Sequence, residues 1–304
     1  DAGLSAFVVT GSLGGDNHDR PRVLIMDACS GSTFVQTVGR ELLKRHGFKG
    51  SGYPYEISKK QKNPEYRKDR SIGLGAAMTR MAEKTAERGA TLAFKASLHT
   101  YESDPDFVSN MTALQAYSVH VWRNPVDQAV CMVRDCLRDQ LGYPINGKGK
   151  KSKLCFERRH ANVTEEYKAH MFADRVARFV NKTVARHTKL PTNFVENLGI
   201  PAPETFVLED LLAFEWAPKA SRAISNTEAA SSGCTDAGCS VRAWCRFLQA
   251  WGVEKPDARV VSDYLGELGS RGAPAPHKDV IDNWRQVQAA LVSLNPDLKV
   301  FWRD

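Results

Sequence analysis

The sequence predicts an α/β fold in which a central parallel β-sheet is flanked by helices. An apolar run of strand type at 22–26, a helical pattern at 71–88 and a second apolar run at 91–95 give the order strand, helix, strand over about 70 residues. A third apolar run at 117–122 leads directly into another helical pattern. Parallel strands need crossover connections of this length, and alternating strands and helices typically build such a sheet.

The first strand passes through a short turn into the first helix. Residues 22–26 (RVLIM) are the strand, and residues 27–33 are small and polar. A helix then runs to about residue 46, with these apolar residues near one face: Phe34, Val35, Val38, Leu42 and Leu43. Backbone N–H groups are unpaired at a helix start and the helix dipole is positive there, so the turn is a predicted anion site.

The side chains of this turn suit an anion as well. The hydroxyl groups of Ser30, Ser32 and Thr33 add donors, and Gly31 lets the backbone approach a ligand closely. The turn is not a Walker A loop, because it lacks the lysine of that motif. An ordinary connection without a ligand is the alternative.

The remaining elements are predicted from hydrophobic periodicity and from the Gly and Pro residues that end helices and strands. Predicted strands lie at 91–95, 117–122 and 205–208. Predicted helices lie at 71–88, 104–114, 125–141, 164–189, 241–251, 257–268 and 278–294, and a loop lies at 269–277.

We predict a flexible lead-in at 1–20 and a single domain at 21–304. Polar, Gly-rich or Lys-rich insertions are expected near 47–70, 142–160 and 217–240, and long loops in compact domains are often functional. The basic run GKGKKSK at 147–153 is interpreted as a solvated loop or as a clamp for an acidic acceptor.

The composition of the 304 residues is that of a globular protein, with 42% hydrophobic and 25% charged residues. No apolar run approaches the roughly 18 residues of a membrane span, so none is predicted. The net charge of +7 suits an anionic ligand or a basic surface kept for solubility. The basic residues lack regular aromatic interleaving, which makes nucleic acid the least favoured partner. Sequons at Asn110, Asn162 and Asn181 favour the Golgi or another secretory lumen over the cytoplasm.

Seven cysteines is an odd number, so at least one lies outside any intramolecular disulfide. Cys234 and Cys239 flank a Thr-Asp-Ala-Gly turn and are candidates for a bridge. We predict no metal site, because the chain lacks a CxxC pair or a close Cys/His set of the kind that binds zinc.

Four segments of the chain, in their order and spacing, resemble the motifs of a known family. They are ACSGSTF at 28–34, RNPVD at 123–127, VLEDL at 207–211, and IDNW at 281–284 with Val287 after it. This order and spacing resemble the sulfotransferases that use 3′-phosphoadenosine 5′-phosphosulfate (PAPS), over roughly residues 21–293. The resemblance implies a three-layer P-loop-type α/β fold. It also implies transfer of a sulfuryl group from PAPS to a hydroxyl or amine, with release of 3′-phosphoadenosine 5′-phosphate (PAP).

The resemblance also implies residue roles at the nucleotide. The 5′-phosphosulfate would be held by the turn, and the implied residues are Cys29, Ser30, Gly31, Ser32, Thr33 and Phe34. Phe34 stands where the family often has an adenine-stacking Trp, although it also fits a helix core position. Arg123 would bind the 3′-phosphate through its guanidinium fork, a surface ion pair being the alternative. Arg271 and Gly272 loosely match a late phosphate-binding motif, or are an ordinary loop.

Three positions depart from the family pattern. Cys29 replaces a Lys or Arg that commonly neutralises charge on the transferring group. Cys131 replaces a phosphate-binding Ser eight residues after Arg123, and a thiol is a poor donor. Ser97 takes the place of the family's frequent catalytic His, and His99 follows two residues later.

The reaction needs a base for the acceptor proton. His99 is the first candidate, because imidazole changes charge near neutral pH, although a loop histidine without a role is the alternative. The carboxylates of Glu102 and Asp27 are the next candidates. Lys95 would stabilise the bridging oxygen if it faces the cleft.

Two other functions stay open, a P-loop nucleotide phosphotransferase and a non-catalytic nucleotide-binding protein on a degenerate sulfotransferase fold. The missing Walker lysine weighs against the first, and Cys29, Cys131 and Ser97 favour the second. The basic loops and sequons favour a glycan or another anionic acceptor, with a small alcohol, phenol or amine as the alternative.

Overall fold

The computed structural model describes residues 20–27, 29–52, 57–140, 170–212, 237–268 and 275–303. Five strands lie within these ranges: β1 (Arg22–Ile25), β2 (Gly50–Gly52), β3 (Thr91–Ala96), β4 (Tyr117–Trp122) and β5 (Glu204–Val207). They form one sheet in the order β2-β3-β1-β4-β5, and every pairing is parallel. The predicted α/β fold with a central parallel sheet is confirmed.

The described helices follow the strands along the chain. They are α1 (Ser32–Arg45), α2 (Pro64–Lys68), α3 (Leu74–Ala86), α4 (Leu98–Ser103), α5 (Pro105–Ala113), α6 (Pro125–Gln140), α7 (Ala173–Thr188), α8 (Leu190–Thr192), α9 (Leu208–Leu211), α10 (Ala237–Ala250), α11 (Ala258–Leu268), α12 (His277–Val280) and α13 (Trp284–Leu294). A π-helical turn spans Asn193–Asn197 and a 3₁₀ helix spans Pro296–Phe301.

The helices form two layers, one on each face of the sheet. Side chains alternate between the two faces of a strand. Leu24 of β1 therefore packs into a core with α1, α10 and α11. Val23 and Ile25 pack on the other face with α3, α4 and α5. On that same face, Trp122 of β4 packs against α6, α7 and α13, so the architecture has three layers.

The order of the strands places a topological switch point at the carboxyl edge of the sheet, between β1 and β4. The connection from β1 to β2 runs through α1 on one face, whereas the connection from β4 to β5 runs through α6 and α7 on the opposite face. The strands β1 and β4 are neighbours, with Leu24 paired to Val119. The chain thus leaves their carboxyl ends in opposite directions. Open parallel sheets bind ligands at such switch points.

Several predicted boundaries are wrong. The segment predicted as a loop at 47–70 contains β2 and α2. The short helix α4 was not predicted, and α7 begins at Ala173 rather than near 164, since 170–172 are not helical. The predicted closing helix at 278–294 is two helices, because Ile281 adopts extended backbone between α12 and α13.

Other predictions fall on residues that the structure does not describe. These are the lead-in at 1–19, the basic run at 147–153, most of the insertions near 142–160 and 217–240, and the sequon at Asn162. The last four residues of the 217–240 insertion are described, and they open α10. Among the described helices, none combines the length and apolar character needed to cross a membrane.

Candidate functional site

The turn between β1 and α1 has an unusual backbone. Cys29 and Gly31 both adopt positive φ, at 60° and 77°. Gly31 is the N-cap of α1, and it has no side chain with which to cap the first N–H groups of the helix. A Cβ at Gly31 would lie 2.6 Å from Leu208 Cδ2, so the Leu208 side chain would have to shift, and the positive φ favours glycine at this position. Turns of this kind, opening a 14-residue helix, form anion-binding concavities.

The three hydroxyl groups of the turn have different environments. Ser30 is buried, and its Oγ donates to the backbone carbonyl of Asp27, which closes the turn on itself. Ser32 Oγ accepts a hydrogen bond from Lys95, and Thr33 is exposed. Ser32 and Thr33 therefore remain the hydroxyls at the open side of the turn, whereas Ser30 has a structural hydrogen bond.

Two cations flank the turn, one from each strand beside β1. Lys95 is the penultimate residue of β3, and its Nζ lies 3.4 Å from Ser32 Oγ. Arg123 follows β4, and its Nη1 donates to the carbonyl of Cys29 at 3.1 Å. The register explains this arrangement, because β3 and β4 both pair with β1 and end at the same edge. The structure thus brings together Lys95, Arg123 and the turn, which the sequence predicted separately.

A third cation, Arg186 on α7, joins the two carboxylates considered as bases. Its Nη1 lies 3.2 Å from Asp27 Oδ2, and its Nη2 lies 2.6 Å from Glu102 Oε2. Burial lowers the pKa of the guanidinium, but the hydrogen bond with Glu102 and the charges of both carboxylates outweigh this, and the pKa is raised. Sequence reasoning missed Arg186, since a basic residue in the last turn of a helix is ordinarily explained by the helix dipole.

Beneath this ion-pair cluster lie two neutral histidines. The rings of His187 and His120 stack with centroids 5.0 Å apart, and both are buried. Burial and the nearby Arg186 charge lower the pKa of His187 to about 3. Burial, with the neighbouring His187 and the charge of Arg186, lowers the pKa of His120 well below its ordinary value. Neither ring therefore adds positive charge to the site at neutral pH.

The rest of the RNPVD segment supports Arg123 rather than lining the turn. Asn124 is buried, and its Oδ1 accepts from the N–H of Val126 at the start of α6. Asp127 is also buried, and it pairs with Arg303 through two hydrogen bonds and with His277 Nε2 at 3.1 Å. Burial raises the pKa of Asp127, yet the hydrogen bond from His277 and the charge of Arg303 outweigh it, so the pKa is lowered.

Glu209 is a buried acid behind the same segment. Its Oε1 accepts from the backbone N–H of Asn124 at 3.1 Å, and its Oε2 has no hydrogen-bond partner among the described residues. Burial, aided by the negative charge of Asp127, raises the pKa of Glu209 to about 7. This carboxyl is therefore partly protonated near neutral pH.

The raised pKa predicts how stability depends on pH. The pKa of Glu209 is higher in the folded protein than its ordinary value of 4.5. Its stabilising contribution is therefore fully present below that value and is lost as pH rises through about 7. From about pH 5 to pH 8, we expect wild type to lose roughly 2 kcal/mol of unfolding free energy relative to Glu209→Gln. Urea unfolding at several pH values measures this difference, and parallel curves for the two proteins would contradict it.

The first candidate base lies at the end of β3 without a fixed partner. Ser97 caps α4 by accepting from the N–H of Thr100, so its hydroxyl is used structurally. His99 is exposed in the first turn of α4, and within the described residues its ring makes no hydrogen bond or ion pair. Glu102 lies one turn further along α4, where it pairs with Arg186.

Of the remaining predicted nucleotide residues, the structure describes Phe34 and Cys131. Phe34 is partly buried on α1, and it packs against the hydrophobic core that α1 shares with α10 and α11. Cys131 is partly buried on α6, and Cys29 is partly buried in the turn. Arg271 and Gly272 lie outside the described residues. Cys239 is disulfide-bonded.

Among the described residues, no group of three or more His, Cys, Asp or Glu side chains could hold a metal ion. Comparisons with protein-family models, with curated proteins and with solved structures find no match to this chain. The chemistry of the turn and its neighbours is therefore the basis for a proposed function.

Proposed function

We propose that this protein is a sulfotransferase that moves a sulfuryl group from PAPS to a hydroxyl or amine of an acceptor. The observation that carries the proposal is the turn after β1, flanked by Lys95 and Arg123 at the switch point of the sheet. Backbone N–H groups, two hydroxyls and two cations around one concavity suit a ligand with separate anionic groups. PAPS has two such groups, the 5′-phosphosulfate and the 3′-phosphate. On this proposal the three-layer fold is of the P-loop type.

Each group of the nucleotide has a matching part of the site. The 5′-phosphosulfate is assigned to the N–H groups that open α1, with Ser32 and Thr33 as hydroxyl donors. The 3′-phosphate is assigned to Arg123, which leaves the carbonyl of Cys29 to make a bidentate contact. Phe34 is assigned to the adenine side of the turn.

Lys95 supplies the positive charge that the side chains of the turn lack. Cys29 has no positive side chain, and negative charge develops on the bridging oxygen as it leaves during transfer. The ammonium of Lys95 already contacts Ser32 at the mouth of the turn. This ammonium group, carried by β3, suits stabilisation of the bridging oxygen. The site therefore has a cation even though Cys29 stands where the family commonly has a Lys or Arg.

The transfer itself is an in-line displacement. The acceptor oxygen or nitrogen forms a bond to sulfur, and the bond from sulfur to the bridging phosphate oxygen breaks. The electron pair leaves with PAP, and the acceptor proton passes to a base. His99 is assigned as this base, because Arg186 already occupies the carboxylates of Asp27 and Glu102. Neutral His99 takes up the proton and becomes an imidazolium ion.

Binding of PAP tests the nucleotide site without any acceptor. At a hundredfold excess over its dissociation constant, PAP should raise the unfolding free energy of wild type by about 2.7 kcal/mol. Arg123→Ala removes a charged hydrogen-bond donor and should weaken binding roughly 10- to 100-fold. The stabilisation at the same PAP concentration should then fall below about 1.4 kcal/mol. Urea unfolding with and without PAP measures both values.

Arg88→Ala is the matched control, since Arg88 is exposed at the opposite edge of the sheet, before β3. Stabilisation in that variant should equal wild type. ATP with Mg²⁺ serves as the competing ligand, and stronger stabilisation by it would favour a phosphotransferase. A folded wild type that PAP does not stabilise would contradict the proposal.

A further inference from the structure

A strongly basic segment follows Ser58, which contacts the carboxyl end of β3. Six exposed cations follow one another between residues 59 and 70, and we call them the basic face: Lys59, Lys60, Lys62, Arg67, Lys68 and Arg70. Only two carboxylates, Glu65 and Asp69, lie in the same segment. The net charge of this stretch is therefore strongly positive.

Both carboxylates already form salt bridges with lysine or arginine side chains of the protein. Glu65 is buried, and it pairs with Lys84 at 2.6 Å and with Lys68 at 3.0 Å. Asp69 pairs with Arg80 at 3.3 Å. No salt bridge to Lys60, Lys62, Arg67 or Arg70 is found within the described ranges of the chain. Lys60 Nζ lies 5.8 Å from the centroid of the Tyr66 ring, and all four side chains are exposed to a partner outside the protein.

The basic face is carried on an ordered support. Asn63 donates from Nδ2 to the carbonyl of Ile57, and Ile57 is buried against α3. The Oδ1 of Asn63 caps α2 by accepting from the N–H groups of Glu65 and Tyr66. These bonds fix the loop that carries Lys59 to Lys62 relative to α2. Ordered charges cost less entropy to bind than charges on a flexible tail.

A short chain of contacts connects this support to the turn. Ser58 Oγ donates to the carbonyl of Lys95 at 3.3 Å, and Lys95 Nζ donates to Ser32 Oγ at 3.4 Å. The basic face therefore begins where β3 ends, at the edge of the sheet that holds the proposed transfer site. A molecule bound on it would extend toward the sulfuryl group.

We propose that the basic face binds an anionic polysaccharide, and that this polymer is the acceptor. The inference rests on the proposed function. Four of the six cations are lysines, which act as point charges and do not impose the fixed bidentate geometry of an arginine cluster. Such a surface suits repeated carboxylates along a chain. A polyuronate also presents hydroxyl groups on every sugar, so the charges that hold it bring an acceptor oxygen to the turn.

The test compares two triple variants that lose the same charge. Lys60→Gln, Lys62→Gln and Arg67→Gln together neutralise half of the basic face. Lys49→Gln, Arg88→Gln and Lys255→Gln neutralise three exposed cations away from that face. Lys49 and Arg88 lie at the amino ends of β2 and β3, and Lys255 lies two residues before Asp257, whose N–H contacts His46 after α1. The measurement is the affinity of each protein for a fluorescent polyuronate at saturating PAP.

We expect the variant of the basic face to bind the polyuronate roughly tenfold more weakly than wild type, and the control to bind within about twofold. Added salt should weaken binding to wild type more steeply than to the first variant. A neutral dextran should bind all three proteins weakly. Equal losses in both variants would overturn the inference, since the effect would then follow net charge alone.

Two further probes decide the class of partner and separate this inference from the proposed function. Poly-glutamate or anionic lipid vesicles that bind more tightly than the polyuronate would overturn the assignment to a polysaccharide. PAP stabilisation is measured in the same samples. If PAP stabilises every variant while polyuronate binding is unaffected by the first triple substitution, only the inference fails. If PAP fails to stabilise wild type, the proposed function fails, and with it the acceptor role of the basic face.

Discussion

Replacing His99 with Ala is expected to lower kcat for sulfuryl transfer by about 10²- to 10⁴-fold, the range over which general bases contribute. The ring of His99 is exposed in the first turn of α4, four residues after Lys95, on the same helix as Glu102, which pairs with Arg186. Stabilisation by PAP should be unchanged, because His99 is assigned to the acceptor and not to the nucleotide. PAP release from PAPS, followed with the polyuronate and a panel of small phenols and amines, measures the rate.

The two carboxylates near Arg186 provide the comparison. Asp27→Asn and Glu102→Gln each weaken a salt bridge to Arg186 but leave the shape of the side chain nearly unchanged. We expect a smaller loss of kcat in both than in His99→Ala. Unchanged turnover in His99→Ala, with a large loss in Glu102→Gln or Asp27→Asn, would move the base to that carboxylate.

Replacing Asp127 with Ala is expected to lower the free energy of unfolding by about 3–5 kcal/mol. Asp127 accepts two hydrogen bonds from Arg303 and one from His277. All three side chains are buried, so the variant would remove the carboxylate with which the buried Arg303 guanidinium pairs. The backbone N–H of Arg303 donates to His277 Nδ1, which places the proton of that ring on Nε2, facing Asp127. Urea unfolding measures the loss.

Asp174→Ala is the matched control, since Asp174 occupies the first turn of α7 as Asp127 does in α6, but is exposed. Its loss should cost about 0.3–1 kcal/mol, the usual effect of a charge near a helix start. The double variant Asp127→Ala with Arg303→Met should recover part of the stability, because no buried charge remains unpaired. Equal stabilities of Asp127→Ala and the control would refute the structural role given to this pair.

Local sequence patterns were enough to predict four of the five described strands. The strands β1, β3, β4 and β5 were predicted to within a residue or two, because their apolar runs are bounded by clear turn residues. The edge strand β2 was missed, since Gly-Ser-Gly has no apolar pattern and its pairing to Ala93 and its neighbours alone defines it. The break in the closing helix was also missed. Its helical periodicity continues through Ile281, while backbone contacts with the distant C-terminal segment hold His277 in a separate turn.

The sequence by itself determined the α/β class and the small-residue turn that joins β1 to α1. These properties depend on residues that are neighbours in the chain, whose periodicity and turn chemistry act locally. The tertiary structure alone placed Arg186 between Asp27 and Glu102, 159 and 84 residues away in the chain. It likewise paired Asp127 with Arg303 across 176 residues, and buried Glu209 behind Arg123. Such contacts, and the pKa shifts that burial causes, depend on how the sheet brings distant strand ends to one edge.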